Sequence, residues 1–338
     1  MDPITQGIVG AALAQTKGET KTLAKAGIIG ALAGMAPDLD VLIRSSTDPL
    51  LVLEYHRQFT HSLLFIPFGA LICALVFYPL IANRWQLGFK AIYLWSFLGF
   101  ATHGLLDGCT SYGTLLLWPI TDHRFSWDII SVIDPLFTLP LLVLILLAAT
   151  LKSRRYLWGG LVWGAVYLGI GFIQHERVLV IGHQLAAERG HQPLRLEAKP
   201  SFANIMVWKL VYETEQKFYV DAVRPGVLSE RILTGKIWAG NSTDKLNLTR
   251  DFLWLDPQSQ QAKDIQRFGR FSSGYLGLDP QNSMGIVDIR YSLLPHQIAP
   301  LWGIQLSETR GNGQHSHYFT RREKRSESLK VLMGMLIE

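Results

Sequence analysis

His103 and Asp107 are four residues apart, so on a helix they project from one face and can share a single ion. Asp38 and Asp40 follow Pro37 at the end of an apolar stretch, with a spacing that suits a turn bringing two carboxylates together. A helix C-terminus disfavours negative charge, so carboxylates gathered there call for a compensating cation. His56 and His61 are five apart and would fall on different faces of a continuous helix. They are therefore expected to flank a turn, with Thr60 or Ser62 capping the helix that follows. Mixed His and Asp donors suit zinc, and manganese or another divalent ion is an acceptable alternative. A bound ion of this kind makes hydroxide from water and stabilises charge in a hydrolytic transition state. Arg57 and Arg124 can neutralise a phosphate oxygen, and Asp134 is a candidate base or partner of a ligand. Taken singly, each group has a blander reading: a hydrogen bond on a helix surface, a helix stop, a structural histidine. Their position at the ends of apolar segments favours the functional reading, because ionisable groups at the margin of hydrocarbon are costly.

The elements that must position these side chains are charge-poor. Such runs occupy 63–83, 91–106, 135–151 and 156–174. The first and last are long enough to cross a bilayer, which takes roughly 20 residues. The other two are shorter and need help from their flanks. The stretch 4–36 is apolar but interrupted by Lys17, Glu19, Lys21 and Lys25, and it suits two short helices packed as a hairpin. Gly27, Gly30 and Gly34 would permit their close approach. Four such runs in succession are hard to bury in one soluble domain. The reading is an α-helical membrane domain of several transmembrane helices over residues 1–174, then a smaller strand-rich or α+β extramembrane domain over 175–338. The start lacks the basic region of a cleavable signal peptide.

Basic residues near membrane segments tend to stay in the cytoplasm. Placing Lys17, Lys21, Lys25, Arg84, Lys90, Lys152, Arg154 and Arg155 there puts every candidate ligand on the outer face, with Asp128 and Asp134, and sends the C-terminal domain outward. Arg44, Arg57 and Arg124 break the bias, and their nearness to the ligands fits an anionic substrate. In the C-terminal part, 217–223, 286–294 and 301–306 alternate as half-buried strands do, whereas 202–212 shows no clear period. The net charge of +5 is spread through the chain and calls for no nucleic acid. Its one basic run, 321–325, reads as a solvated segment. The two cysteines, Cys73 and Cys109, form no disulfide framework. His175-Glu176 is followed by Leu179 where a His-Glu-x-x-His motif needs its second histidine, which argues against that class of protease. There is no P-loop, Gly-x-Ser-x-Gly or dinucleotide fingerprint.

Met1-Asp2-Pro3-Ile4-Thr5, Ala36-Pro37-Asp38-Leu39-Asp40, His56-Arg57-x-x-Thr60-His61-Ser62 and His103-x-x-x-Asp107-x-x-Thr110-Ser111-Tyr112-Gly113 occur in that order. With Leu117-Trp118-Pro119 and Ile133-Asp134-Pro135-Leu136-Phe137, they resemble the YdjM family of bacterial inner-membrane proteins over about residues 1–150. The resemblance implies a membrane-bound metal-dependent hydrolase of the inner membrane, with membrane lipid as its surroundings. It also carries a label of association with LexA, for which no docking feature is visible in the chain. The family is distantly similar to the zinc-dependent phospholipase C and P1-nuclease fold, which implies a phosphate ester or lipid as substrate. The family pattern has His after the opening Thr, where this chain has Gln6. The centre then either lacks one ligand or uses Asp2.

Overall fold

The computed structural model describes residues 1–226, 235–321 and 325–337. The chain divides into two compact units: Met1–Leu42, Tyr55–Phe172 and Phe202–Asn204 form one, and Ile43–Glu54, Ile173–Ser201 and Ile205–Glu338 the other.

The first unit is helical. Helix α1 (Pro3–Thr16) starts where Asp2 accepts the Thr5 backbone N–H at 3.0 Å, with Pro3 in the first turn, a strong start signal. Helix α2 (Leu23–Met35) returns antiparallel and continues into a 3-10 segment, Ala36–Leu42. The short α3 (Leu51–Tyr55) follows, then two 3-10 turns, Phe59–His61 and Leu63–Phe65. The second turn is capped by Ser62, whose Oγ accepts the Leu64 N–H at 3.2 Å. Helices α4 (Ile66–Trp85), α5 (Phe89–Gly108), α6 (Pro135–Thr150) and the part of α7 (Arg154–Glu188) up to Phe172 complete this unit, whereas α7 from Ile173 onward and α3 up to Glu54 belong to the second.

Glycine lets three of these helices touch at backbone distance. A Cβ on Gly30 would stand 2.5 Å from the Gly10 carbonyl oxygen, and one on Gly99 only 2.2 Å from that of Gly30. Thus α1, α2 and α5 form a tight inner layer. The hairpin expected from 4–36 is present, and Gly10 and Gly99 join the contact as partners that the sequence did not single out.

Among the described residues, two helical segments, Leu63–Trp85 and Arg154–Glu188, are long and apolar enough to cross a membrane, and α6 is a shorter apolar helix. These correspond to the first and last charge-poor runs. Apolar side chains such as Phe68, Ile72 and Leu80 on α4, and Trp158, Val162 and Phe172 on α7, face outward. Outward-facing apolar rows of this extent suit a lipid surface better than water. The last helix does not stop where its apolar run ends at residue 174 but extends to Glu188, carried past Gly182 by the helix formers Gln184, Leu185, Ala186 and Ala187, and ends before Gly190.

The second unit is strand-rich. One antiparallel sheet has the order β1 (Arg195–Pro200), β2 (Trp208–Glu213), β3 (Lys217–Arg224), β4 (Lys236–Trp238), with β5 (Ser242–Asp244) also paired to β3. Helices α8 (Leu248–Asp251) and α9 (Gln260–Phe271) precede a second antiparallel sheet, β6 (Leu276–Asp279), β7 (Asn282–Asp288), β8 (Trp302–Gln305) and β9 (His317–Thr320). Helix α10 (Arg325–Ile337) closes the described chain. Strand β2 is buried at every position, Lys209 and Glu213 included, so its sequence shows no regular alternation of apolar and polar residues. The expected strand at 286–294 ends at Asp288, where Asp288 turns back to accept the Arg290 backbone N–H at 3.1 Å. Of the basic run 321–325, Arg321 forms a salt bridge with Asp279, and 322–324 lie outside the described residues. Both cysteines are free and buried.

Arg267 organises the edge of this unit. Its guanidinium meets Asp48 at 2.7 Å, Glu54 at 2.6 Å and the buried Asp264 at 3.3 Å. Arg267→Met is expected to lower the stability of this unit by about 1–3 kcal/mol, because it removes the guanidinium that Asp48, Glu54 and the buried Asp264 share. A denaturant melt followed by tryptophan fluorescence checks it, with an unchanged midpoint as the contrary result.

Candidate metal centre

The centre is assembled from three places in the chain. The 3-10 segment after α2 brings Asp38 and Asp40, the turn after α3 brings His56 and His61, and the C-terminal end of α5 brings His103 and Asp107. The turn depends on Arg57, whose backbone is left-handed at φ 63°, a costly state for a residue with a Cβ. The strain is held by Asp40, whose Oδ2 accepts the Arg57 N–H at 3.0 Å.

Four donor atoms converge. The Nε2 atoms of His61 and His103 face each other at 2.9 Å. Asp38 Oδ1 is 3.6 Å from the first and 3.3 Å from the second. Asp107 Oδ2 is 3.3 Å from His61 Nε2 and 3.8 Å from His103 Nε2. A tetrahedral ion with arms of 2.0–2.1 Å needs donors separated by about 3.3–3.4 Å, so these spacings bracket the requirement.

The hydrogen bonds on the far side of each ring favour the same arrangement. His103 Nδ1 is 2.6 Å from the Gly34 carbonyl oxygen, which can only accept, so Nδ1 carries the proton and a neutral ring offers its Nε2 lone pair inward. His61 Nδ1 is 2.9 Å from Thr60 Oγ1, which in turn donates to Asp40 Oδ2 at 2.9 Å. That makes His61 Nδ1 the donor and frees its Nε2. Inside the cluster, Asp107 Oδ2 is buried without a hydrogen bond. Arg57 Nε stands 3.1 Å from it, near enough to attract but not aligned to bond. An orphaned carboxylate oxygen and two inward lone pairs are the donor set a divalent cation fits.

The electrostatics agree. Burial by itself would lower the His61 pKa, but the carboxylates of Asp107, Asp38 and Asp40 outweigh it and raise it to about 10, so its Nε2 lone pair becomes available when a cation displaces the proton there. Burial pushes Asp38 up, yet the adjoining imidazoles of His103 and His61 hold it well below the usual carboxylate range. Asp40 is likewise lowered against its burial by His56 and His61. The pocket is negative and favours positive charge.

All six sequence-selected ligands meet here, but in two groups. Asp38, His61, His103 and Asp107 form one, and Asp38, Asp40 and His56 a second that shares Asp38. Asp40 stands behind His61, 3.3 Å from its Nδ1, and accepts from His56 Nδ1 at 2.7 Å. This is the carboxylate–histidine arrangement that orients a ligand. Asp40→Asn is expected to weaken divalent-metal binding about 10–100-fold, the usual loss when such a partner goes, and a competition titration with a chromophoric chelator measures it.

The three residues expected to act on substrate are placed differently. Arg57 is 4% exposed, faces Asp107, donates to Thr110 Oγ1 at 3.1 Å and lies over the Tyr112 ring. Arg124 packs along the Gly113 turn and donates to the Gly113 carbonyl at 3.3 Å. Asp134 caps α6, and both its oxygens accept from Tyr167 Oη at 2.8 Å. Asp2 does not stand in for the absent histidine, because it is used as the cap of α1. Gln6 donates through Nε2 to Asp107 Oδ1 at 2.9 Å, and the Met1 α-amino group also contacts that oxygen. Gln6 thus fixes the carboxylate with Oδ2 toward the histidines.

Sequence reasoning picked Gly34 only for helix packing, and did not find its role at the centre or Gly104 at all. The first supplies the carbonyl for His103, and a Cβ on the second would stand 2.2 Å from the His61 carbonyl oxygen. The only signal was a glycine directly after His103 inside an otherwise bulky helix.

Residues 1–178 match the model of the YdjM inner membrane protein family. Among curated relatives, the chain is 29% identical over 145 residues to the uncharacterized protein YfhP of Bacillus subtilis, 40% of this chain and 42% of that protein. It is 34% identical over 108 residues to the inner membrane protein YbcI of Escherichia coli, 30% of this chain and 60% of that protein. In both, the match covers less than two thirds of the relative's own length. No solved structure matches the chain. With more than half of its length under the family model, including every residue of the His/Asp cluster, the chain belongs to the YdjM inner membrane protein family.

Proposed function

We propose that the chain is a membrane-embedded, metal-dependent hydrolase of phosphate esters, with lipids included among its substrates. The observation that carries this reading is the convergence of Asp38, His61, His103 and Asp107, whose donor atoms all lie within 4.8 Å of one another. The two nitrogen and two oxygen donors, with spacings that suit short arms, favour zinc. When bound, the ion would lower the pKa of a water molecule and polarise a phosphoryl oxygen. The protein's own part is to hold the donors. Asp40 and Thr60 fix the tautomer of His61, the Gly34 carbonyl fixes that of His103, and Gln6 and Arg57 fix Asp107. Arg57 is then a positioning residue, while Arg124 and Asp134 are the remaining candidates for substrate charge and proton transfer.

Access favours the Asp38–His56 side. The side chains of Asp38 and His56 are 20% and 33% exposed, whereas those of His61, His103 and Asp107 are fully buried. The same burial favours a second reading, a closed structural metal that staples the helix ends while the strand-rich unit binds a partner. A screen of phosphodiester, phosphomonoester and phospholipid substrates, with chelator and metal add-back, separates the two. Turnover lost on chelation and restored by metal supports the hydrolase. Metal bound without turnover of any of them supports the staple.

The charge bias around the spans supports a multi-pass topology with the centre and the C-terminal unit on the outer side of the inner membrane. Alkaline phosphatase fused at the C-terminus is expected to be active in intact cells. An inactive fusion, with an active cytoplasmic reporter at the same position, reverses the topology.

A further inference from the structure

Lys209 lies on β2, the strand buried at every position, and is itself only 4% exposed. A lysine so placed ordinarily keeps a carboxylate beside it, since an unpaired buried ammonium is costly. Here the ammonium nitrogen has two neutral partners, Ser292 Oγ at 2.7 Å and the Gln297 carbonyl at 2.8 Å. The nearby charges are committed elsewhere. Asp288 grips Arg290 through bonds of 3.0 and 2.8 Å, and Lys199, the cross-strand neighbour of Lys209, pairs with Glu197 at 2.9 Å. His296, on the same loop as Ser292, has a buried Nδ1 without a hydrogen-bond partner. Ser292 is half-buried, whereas its partner is buried.

We propose that Ser292 and Lys209 form a serine–lysine dyad, a second catalytic site that acts on acyl esters or amides and is independent of the metal centre. Burial lowers the Lys209 pKa to about 7, with Lys199 adding to the fall and Asp288 opposing it, so a large fraction is neutral near physiological pH. A neutral amine 2.7 Å from a serine oxygen is the base that activates such a nucleophile. The Ser292 hydroxyl now donates to the Leu294 carbonyl at 2.7 Å, and rotation about its Cβ–Oγ bond turns the proton toward Nζ. As Oγ bonds to the acyl carbon, Nζ takes the proton. The bond from that carbon to the leaving alkoxide or amine then breaks, and Nζ gives the proton to the leaving group. Water releases the acyl group in the second half-reaction, with its proton passing to Nζ and then to Ser292.

The test uses the full chain in detergent micelles, p-nitrophenyl acetate as the probe and peptide mapping by mass spectrometry, run in parallel with chelator and with added zinc. The expected result is an acetyl group on Ser292, formed faster as pH rises through about 7. Ser292→Ala should abolish it. Lys209→Arg, which keeps a cation of similar reach but cannot act as a base, should slow it about 100-fold or more. Lys209→Met serves as the second removal should the arginine variant lose its melting transition. Acetylation of Lys209 in place of Ser292, an absence of labelling, or labelling that survives in both lysine variants would overturn the dyad. Labelling that needs added metal would overturn its independence.

Discussion

His103→Ala is expected to reduce divalent-metal affinity by more than about 100-fold, since losing a group that merely orients a ligand already costs 10–100-fold. His103 is fully buried, its Nδ1 is committed to Gly34, and its Nε2 lies 2.9 Å from that of His61. Two readouts should move together. Bound metal should fall, and metal should no longer raise the melting temperature. Saturating metal at 100 times its dissociation constant adds about 2.7 kcal/mol to wild-type stability through mass action, and the variant forfeits that gain. A variant that still melts cooperatively, yet gains nothing from metal, is the expected outcome. A metal-dependent shift as large as in the wild type would remove His103 from the centre.

Gly104→Ala should have nearly as large an effect without touching a donor atom. Its Cβ would lie 2.2 Å from the His61 carbonyl oxygen, a backbone atom that cannot swing aside. The turn carrying His61 must retreat from α5 or the helix must shift, and overpacking of this kind costs about 1–3 kcal/mol. Retreat also separates His61 Nε2 from His103 Nε2. The expected result is a loss of metal affinity of about tenfold or more, together with a lowered melting point, because misplacing a site by about 1 Å is costly. Gly88→Ala is the control, since a Cβ there meets nothing within 4 Å. Equal behaviour of the two variants would contradict the steric argument.

The comparison of Gly104 with His103 also shows what the sequence can and cannot disclose. The ligands were legible because imidazole and carboxylate announce their chemistry, and because i, i+4 spacing and a Pro-Asp-x-Asp turn restrict where they point. The apolar helices were legible from their composition. Gly104 was not, because its role is an approach between His61 and α5 that no local pattern encodes. Asp40 looked like a ligand, yet it also orients His61 and His56, a distinction that only distances reveal. From the sequence Arg57 reads as a substrate-facing cation, and its burial against Asp107 follows from a left-handed turn that the sequence does not mark. Strand β2 was missed because full burial removes alternation. Helix α7 overran its apolar run because helix propensity continues where hydropathy stops.

The most direct test of the centre is elemental analysis of the full chain purified in detergent without added metal, beside His61→Ala and His103→Ala prepared in the same way. Stoichiometric zinc or another divalent ion in the wild type, lost from both variants, is the result expected. A wild-type protein free of divalent metal that also takes up none on dialysis against zinc or manganese would contradict the account.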